Sequence, residues 1–278
     1  MVIRELLTET ARAMASIENH MFETHLIVRS VLRMSPMDLV LSHTKEVEAD
    51  KIETVRAAVK RRINGEPLQY ILGTQEFMGI EFDVAKDVLI PRADTETLVE
   101  TVLKHLNKNG ATLLDIGCGS GCVGLSIAYL NSRVCLRGVD ISDSALALSK
   151  RNAKKLGLSE RAEFVKADIL SDSLPGKYDV IVSNPPYIRT DVIPTLMREV
   201  QFYEPHLALD GGGDGLKFYR TIIEKAPRLL NEKGLLAFEI GFDQGEEVSK
   251  LMNKSFDNVK VIKDLAGNDR VVSGILKC

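Results

Sequence analysis

Asn184-Pro185-Pro186-Tyr187 is the most informative tetrapeptide in the chain, because it sets an amide, two rigid carbonyls and an aromatic ring at consecutive positions. The prolines fix φ and remove backbone donors, which leaves carbonyl acceptors beside the Asn184 side chain and the face of Tyr187. Such a set suits a planar –NH2 group. The nitrogen of an amide or exocyclic amine has a delocalised lone pair, and it becomes nucleophilic only when its hydrogens are held by acceptors that favour pyramidal geometry. Asn184 and the Pro185 carbonyl are the candidate acceptors, Tyr187 is a third catalytic candidate, and the whole Asn184 to Tyr187 segment is the candidate substrate site. The alternative is an ordinary Pro-Pro loop after a strand, capped by Asn184.

A second pattern, Asp115-Ile116-Gly117-Cys118-Gly119-Ser120-Gly121, follows an apolar run. Glycines at alternate positions let a backbone turn sharply and approach a ligand at the carboxyl edge of a sheet. Asp140 ends the next apolar run, where a carboxylate can accept both hydroxyls of a ribose. Counting from Gly117, the dinucleotide fingerprint G-x-G-x-x-G requires glycine where Cys122 stands, which speaks against NAD. The spacing D-x-G-x-G-x-G is instead similar to the first motif of the Rossmann-like S-adenosylmethionine-dependent methyltransferases. That resemblance implies cofactor contacts from Asp115, Gly117, Cys118, Gly119, Ser120, Gly121, Asp140 and Asn184. Asp168, at the end of the third run, occupies the place where this class commonly contacts adenine, with capping of the next turn as an equally open reading. For the loop as a whole, the alternative is a glycine turn with no ligand. A sulfonium methyl is already activated, so its transfer requires no cysteine nucleophile, Ser-His-Asp set or paired carboxylates.

These residues need a scaffold that brings strand ends together. After residue 110 the runs ATLLDIG, RVCLRGVD, RAEFVKAD, YDVIVSN, GLLAFEI, VKVIKDL and RVVSGILK alternate with helical stretches such as 144–156 and 243–252, which predicts an α/β fold with a mostly parallel sheet. Only AGND separates the last two runs, too short for a crossover helix, so they are expected to pair antiparallel. Residues 1–75 read as a small helical bundle, with Leu6, Leu7, Met14, Leu26, Ile27, Val31 and Leu32 at helical spacing. Val55, Val59 and Ile63 form one stripe of a helix that stops at Asn64-Gly65. Short β-like pieces from Phe77 to Leu89 predict a hairpin linker over 76–91, ahead of a domain at 92–278.

With 278 residues, 45% hydrophobic and 27% charged, the chain can bury a real core, and a disordered, collagen-like or disulfide-stapled protein is excluded. Its 36 basic and 39 acidic side chains nearly cancel, so direct nucleic-acid binding is not expected. No apolar run approaches the roughly 18 residues that span a bilayer. Glu5 and Glu9 interrupt the opening segment where a secretory signal needs an apolar stretch, so a cytoplasmic protein is expected, with no membrane partner. Cys118, Cys122, Cys135 and Cys278 lack ligand spacing and the histidines do not converge, so no metal is expected.

Beyond DIGCGSG and NPPY, the chain carries RRINGEPLQYILG (61–73), EFMG (76–79), LIPRADTETLVE (89–100), a glycine-rich segment from Glu204 to Arg220, FEIG (238–241) and DLAGNDRVV (264–272). Together these resemble the HemK-type protein-(glutamine-N5) methyltransferases of peptide chain release factors over nearly the whole chain, with Ala93 standing where that family usually has proline. The resemblance implies a helical N-terminal domain that helps recognise the release factor and a Rossmann-like domain that uses S-adenosylmethionine. It further implies that the glutamine of a Gly-Gly-Gln tripeptide is methylated, with NPPY holding its amide. It puts Arg92 to Glu96 near the cofactor pocket, although Asp94 or Thr95 can equally cap the next helix. Gly211 to Gly213 reads either as a mobile substrate loop or as a turn before a helix. One rival is a paralogue acting on a ribosomal-protein glutamine, which presents the same side chain. Another, a DNA or RNA amino-methyltransferase, is disfavoured by the charge and by the lack of a target-recognition insertion. Asp140, Asn184 and Tyr187 argue against a non-catalytic module.

Overall fold

The computed structural model describes residues 1–106 and 110–278. They fall into two compact units, Met1–Gly73 and Thr74–Cys278.

In the first unit, helices α1 (Ile3–Ala13), α2 (His20–Leu32), α3 (Pro36–Leu41), α4 (Ala49–Ile63) and α5 (Leu68–Leu72) enclose a core that includes Leu6, Met14, Ile27, Val28, Leu39, Val55 and Val59. Ser35 starts α3 by accepting the Asp38 N–H while the Asp38 carboxylate accepts the Ser35 N–H, a reciprocal cap ahead of Pro36. As expected, α4 ends at Asn64-Gly65, with Gly65 in the left-handed region at φ 92°. Its buried stripe differs from the sequence expectation: it is Val55, Ala58, Val59 and Arg62, while Ile63 is 47% exposed. The spacing is still that of one helical face. A charge can occupy its last position because Arg62 Nε and Nη2 reach the Glu23 carboxylate of α2 at 2.5 and 2.9 Å.

The second unit opens with an antiparallel hairpin of β1 (Thr74–Phe77) and β2 (Ile80–Asp83). Met78 and Gly79 both take positive φ, 55° and 70°, the two-residue turn whose twist matches antiparallel strands. Residues 84–91 form no strand, although Val84, Val88 and Ile90 are buried. Then follow α6 (Glu96–His105), β3 (Ala111–Ile116), α7 (Cys122–Leu130), β4 (Val134–Asp140), α8 (Asp143–Lys155), β5 (Ala162–Lys166) and β6 (Tyr178–Ser183). The chain ends with α9 (Arg198–Tyr203), α10 (Lys217–Leu229), β7 (Leu230–Glu239), α11 (Gly245–Met252), β8 (Phe256–Lys263) and β9 (Asp269–Leu276).

All seven predicted strands join one sheet in the order β5-β4-β3-β6-β7-β9-β8. Its strands are parallel from β5 to β7, and β9 pairs antiparallel with both β7 and β8. Leu113, Val180, Val182 and Leu235 pack with α6 and α7, whereas Leu114, Ile181, Leu236 and Phe238 pack with α10 and α11. Burial on both faces is why these strands read as continuous apolar runs. Among the described residues, no helix is long and apolar enough to cross a membrane.

Register then positions the site. Ile116 pairs with Val139 on one side and Ser183 on the other, and Ser183 pairs with Phe238. The next residues, Gly117, Asp140, Asn184 and Glu239, therefore stand side by side at the carboxyl ends of four adjacent strands. From β3 the order winds outward through β4 and β5 one way and through β6 and β7 the other, the switch point at which open α/β sheets bind ligands.

Glu23→Ala removes the carboxylate that pairs with the Arg62 guanidinium, and the two side chains are only 12% and 8% exposed. Breaking such a pair costs about 3–5 kcal/mol, and that loss is expected in the stability of the first unit. Arg56→Ala, which removes a half-exposed pair with Glu9, should move the unfolding midpoint little. Urea unfolding followed by helical circular dichroism checks both.

Candidate active site

After β3 the glycine loop folds back onto β4. The Gly117 and Cys118 N–H groups donate to the Val139 carbonyl at 2.8 and 3.1 Å, and the Gly119 N–H donates to Asp140 Oδ2 at 2.9 Å. Gly117 and Gly119 sit at φ 71° and 55°, and a Cβ on Gly117 would meet nothing within 4 Å, so the turn demands glycine while the space above it stays open. Gly121, at φ 80°, serves packing as well. A Cβ there would come within 2.8 Å of Leu125 and 3.1 Å of Ser149, so its absence lets α7 start close to α8. Asp140 Oδ1 also accepts the Ser142 N–H at 2.9 Å, and Asp115 Oδ2 accepts the Gly124 N–H of α7 at 3.0 Å.

A cleft with about 1280 Å³ of empty space, part of it open to solvent, lies over this edge. Of the sequence-derived candidates, Asp115, Gly117, Cys118, Gly119, Ser120, Asp140, Asp168, Asn184, Pro185 and Pro186 line it. Gly121 and Tyr187 do not. Asp168 does two things at once, facing the cleft while its Oδ1 accepts the Leu170 N–H at 2.8 Å. Tyr187 turns beneath the edge, where its hydroxyl donates to Glu239 Oε1 at 3.4 Å and its carbonyl accepts from Gln244 Nε2 at 3.1 Å. Gly211 is pressed against it so closely that a Cβ would lie 2.7 Å from Tyr187 Cα, and the Gly211 N–H donates to the Ile188 carbonyl at 2.8 Å. Gly211 is thus packed against the NPPY edge, whereas Gly213, exposed and with nothing within 4 Å of a Cβ, is not.

Arg92 and Thr95, within the 92–96 segment expected near the cofactor pocket, do line the cleft, and the structure adds their contacts and one residue the sequence did not single out, Glu239. Thr95 lines the cleft and accepts from Asn184 Nδ2 at 3.3 Å; it occupies the first position before α6 but makes no capping hydrogen bond. Arg92, also in the lining, forms an ion pair with buried Glu204, which ties the segment carrying Pro205, Leu207 and Ala208 to the cleft wall. Glu239 stands beside Asn184 in register yet below the lining. All lie in the family-like segments around 89–100, 204–220 and 238–241, where resemblance marks the stretch but not the contact.

Burial sets the protonation states. It pushes the Asp115 carboxyl up to about 7 against the opposing Gly124 N–H, and it pushes Glu239 to about 7 against Thr95, Arg270 and Tyr187. Asp140 is raised by burial as well, with the Ser142, Gly119 and Ile141 N–H groups opposing. Burial lifts the Cys118 thiol and takes Cys122 to about 12, so neither offers a thiolate at neutral pH. The Tyr187 phenol is raised by burial and by Glu239, and remains a donor.

Because Asp115 is more readily protonated when folded than unfolded, its contribution is most favourable near pH 4 and is lost as pH rises through about 7. Asp115→Asn keeps an acceptor for Gly124 and removes the titration. The stability of the variant relative to the parent is expected to rise by on the order of 2–4 kcal/mol between pH 4 and 8. Denaturant unfolding across that range checks this; a pH-independent difference would contradict it.

Comparison with known proteins adds family evidence. A family model described as the PrmC N-terminal domain matches residues 5–73, and one described as the Methyltransferase small domain matches residues 92–214. The release factor glutamine methyltransferase of Clostridium botulinum is 42% identical to this chain over 98% of each. That of Geobacter sulfurreducens is 40% identical, covering 98% of this chain and 96% of its own. Among solved structures, a methyltransferase from Pyrococcus furiosus matches with a TM-score of 0.53 at 17% identity, covering 83% of this chain and 99% of its own, a likeness of fold alone. Identity at this level, sustained through the helical unit and the sheet alike, makes the chain a member of the release factor glutamine methyltransferase family.

Proposed function

We propose that this chain transfers a methyl group from S-adenosylmethionine to the side-chain amide nitrogen of the glutamine in the Gly-Gly-Gln motif of a peptide chain release factor. The observation that carries this reading is the adjacency of the Asn184-Pro185-Pro186 edge to the glycine loop on neighbouring strand ends, in a chain whose relatives are named for that activity.

The residues of the cleft fit the cofactor. The space left open over Gly117 is what a ligand lying on the loop requires. Each Asp140 oxygen accepts a backbone N–H and retains a further lone pair, which suits paired ribose hydroxyls. Asp115, Gly117, Cys118, Gly119, Ser120 and Asn184 would flank the methionine end, Asp140 the ribose and Asp168 the adenine, with Gly121 shaping the turn. When bound, S-adenosylmethionine supplies a methyl group already activated by its sulfonium centre.

The chain's own residues then supply position. Asn184 Oδ1 accepts one hydrogen of the substrate amide and the Pro185 carbonyl accepts the other, which draws the nitrogen toward pyramidal geometry and directs its lone pair at the methyl group. Pro186 and Tyr187 stiffen that edge. A methylated amide nitrogen sheds its proton readily, so water is a sufficient acceptor. The first unit carries no cofactor signature and is assigned recognition of the release factor, a cytoplasmic partner.

Incubation of purified release factor with this protein and methyl-labelled S-adenosylmethionine, followed by mass spectrometry, is expected to place one methyl on the Gly-Gly-Gln glutamine. Label on a ribosomal protein and none on the release factor would replace the substrate. Asn184→Ala should lower the single-turnover rate on the order of 10²–10³-fold with little change in cofactor affinity. Asp140→Ala should instead weaken cofactor binding by about tenfold or more, since hydrogen bonds to a charged group contribute about 1.5–3 kcal/mol. Calorimetry measures the affinities.

A further inference from the structure

The 204–210 segment is held at both ends by the parts of the chain that carry the candidate acceptors. At one end the Ile188 N–H, one position past NPPY, donates to the Leu209 carbonyl at 3.0 Å, and the Gly211 N–H donates back to the Ile188 carbonyl at 2.8 Å. At the other end the Arg92 guanidinium pairs with the Glu204 carboxylate across 112 positions of sequence. Arg92 in turn belongs to the turn that reaches Asn184: its carbonyl accepts the Thr95 N–H at 3.1 Å, and Thr95 Oγ1 accepts from Asn184 Nδ2 at 3.3 Å. These contacts close a circuit, from Arg92 through Thr95 to Asn184, along NPPY to Ile188, and back through Leu209 to Glu204. Between the two anchors, Pro205, Leu207 and Ala208 line the cleft, and the Ala208 and Leu209 N–H groups stiffen this wall by donating to the Pro205 and His206 carbonyls at 2.9 and 3.0 Å. The Glu204 side chain is 1% exposed and its Oε2 has no hydrogen-bond partner. An unmatched charge in such a place is costly, so Arg92 holds this joint of the circuit shut.

The wall belongs to the amide end of the cleft. Asp168, Asp140, Gly117 and Asn184 follow one another at the ends of β5, β4, β3 and β6, and the wall is anchored at Ile188, just after the last of these ends. Its lining side chains are apolar, and Leu207 is 58% exposed. They offer the charged methionine end of a cofactor neither donor nor acceptor, but they give a protein chain apolar surface to cover. We propose that Arg92 and Glu204 are positioning residues whose ion pair closes the frame around NPPY, holding the 205–208 wall where it receives the protein chain beside the target glutamine. Opening the pair loosens the wall and leaves the Thr95–Asn184 contact and the glycine loop in place. The loss therefore falls on binding of the protein substrate rather than on the cofactor or the transfer step. The proposal rests on the amide-methylation reading and adds to it the residues that shape the entrance for the substrate.

Two readouts test it on the full chain. In hydrogen exchange followed by mass spectrometry, the 204–210 peptide should exchange about tenfold faster in Arg92→Gln and in Glu204→Gln, stay close to the parent in Arg92→Lys, and leave the 134–140 peptide of β4 unchanged in all three. In methylation of release factor, Arg92→Gln and Glu204→Gln should each raise KM by about tenfold or more, with kcat and the calorimetric affinity for S-adenosylmethionine held within about threefold and Arg92→Lys recovering most of the KM. The double variant should be little worse than either single one. Leu207→Ser keeps the ion pair and should raise the same KM by about 3–10-fold. Glu204→Gln removes the buried charge itself and carries the test if Arg92→Gln does not fold. Unchanged exchange of 204–210 in the folded variants overturns the proposal for any substrate, and a loosened wall with a parental KM overturns the wall's role toward the protein chain. A tenfold loss of cofactor affinity in Arg92→Gln assigns the guanidinium to the cofactor and overturns the proposal as well. A loosened wall in a protein that never methylates release factor upholds the frame and overturns the substrate.

Discussion

The alignment of Val139, Ile116, Ser183 and Phe238 across four adjacent parallel strands is the constraint on which the rest of the second unit depends. A slip of one residue in any strand turns every side chain to the opposite face. The register that sends Leu114, Ile181 and Leu236 to one core and Leu113, Val182 and Leu235 to the other therefore also decides which residue leaves each strand first. Ser183 reinforces it, its buried hydroxyl donating to the Ile116 carbonyl at 2.6 Å. With β6 shifted by one, Ser183 or Pro185 would stand between Gly117 and Glu239, and no amide would face the cleft.

That alignment has an electrostatic consequence. Carboxylates at neighbouring strand ends are pulled into the protein together with the backbone, and burial raises Asp115, Asp140 and Glu239 above the ordinary carboxylate range. Apolar residues of similar shape would be more stable in such places. Each carboxylate instead holds something that no apolar side chain can hold: Asp115 the first turn of α7, Asp140 the Gly119 N–H, and Glu239 the Tyr187 hydroxyl. The stability lost to desolvation is returned as fixed donors and acceptors in a water-poor edge, where each hydrogen bond is electrostatically stronger.

The division between what the sequence announces and what it conceals follows from distance along the chain. Strands buried on both faces write themselves as apolar runs, so all seven were legible, as was the antiparallel end where AGND allows no crossover. Gly117 and Asn184 were legible for another reason, since each lies in a short stretch whose chemistry is local. The Asn184–Thr95 contact and the place of Glu239 were not, because 89 positions separate Asn184 from Thr95 and 55 separate it from Glu239, which stands on the neighbouring strand end only through the β6–β7 register. Ile63 was misplaced by a smaller error of the same kind: helical periodicity does not distinguish Arg62 from Ile63 as the residue that turns inward without the Glu23 carboxylate of another helix.

The thiols of Cys118 and Cys122 and the phenol of Tyr187 all keep their protons at neutral pH, so none of these three is poised as a nucleophile. What the chain offers is stiffness. Two prolines fix φ at the edge, Gln244 holds the Tyr187 carbonyl, Gly211 packs on its Cα, and Glu239 takes its hydroxyl. An edge free to relax would adapt to a planar amide as well as to a pyramidal one, and would lower both energies alike. A rigid pair of acceptors discriminates between the two shapes, and only an interaction stronger in the transition state than in the ground state speeds the reaction. In the proposed reaction, the packing beneath NPPY is therefore the source of catalysis and not only its support.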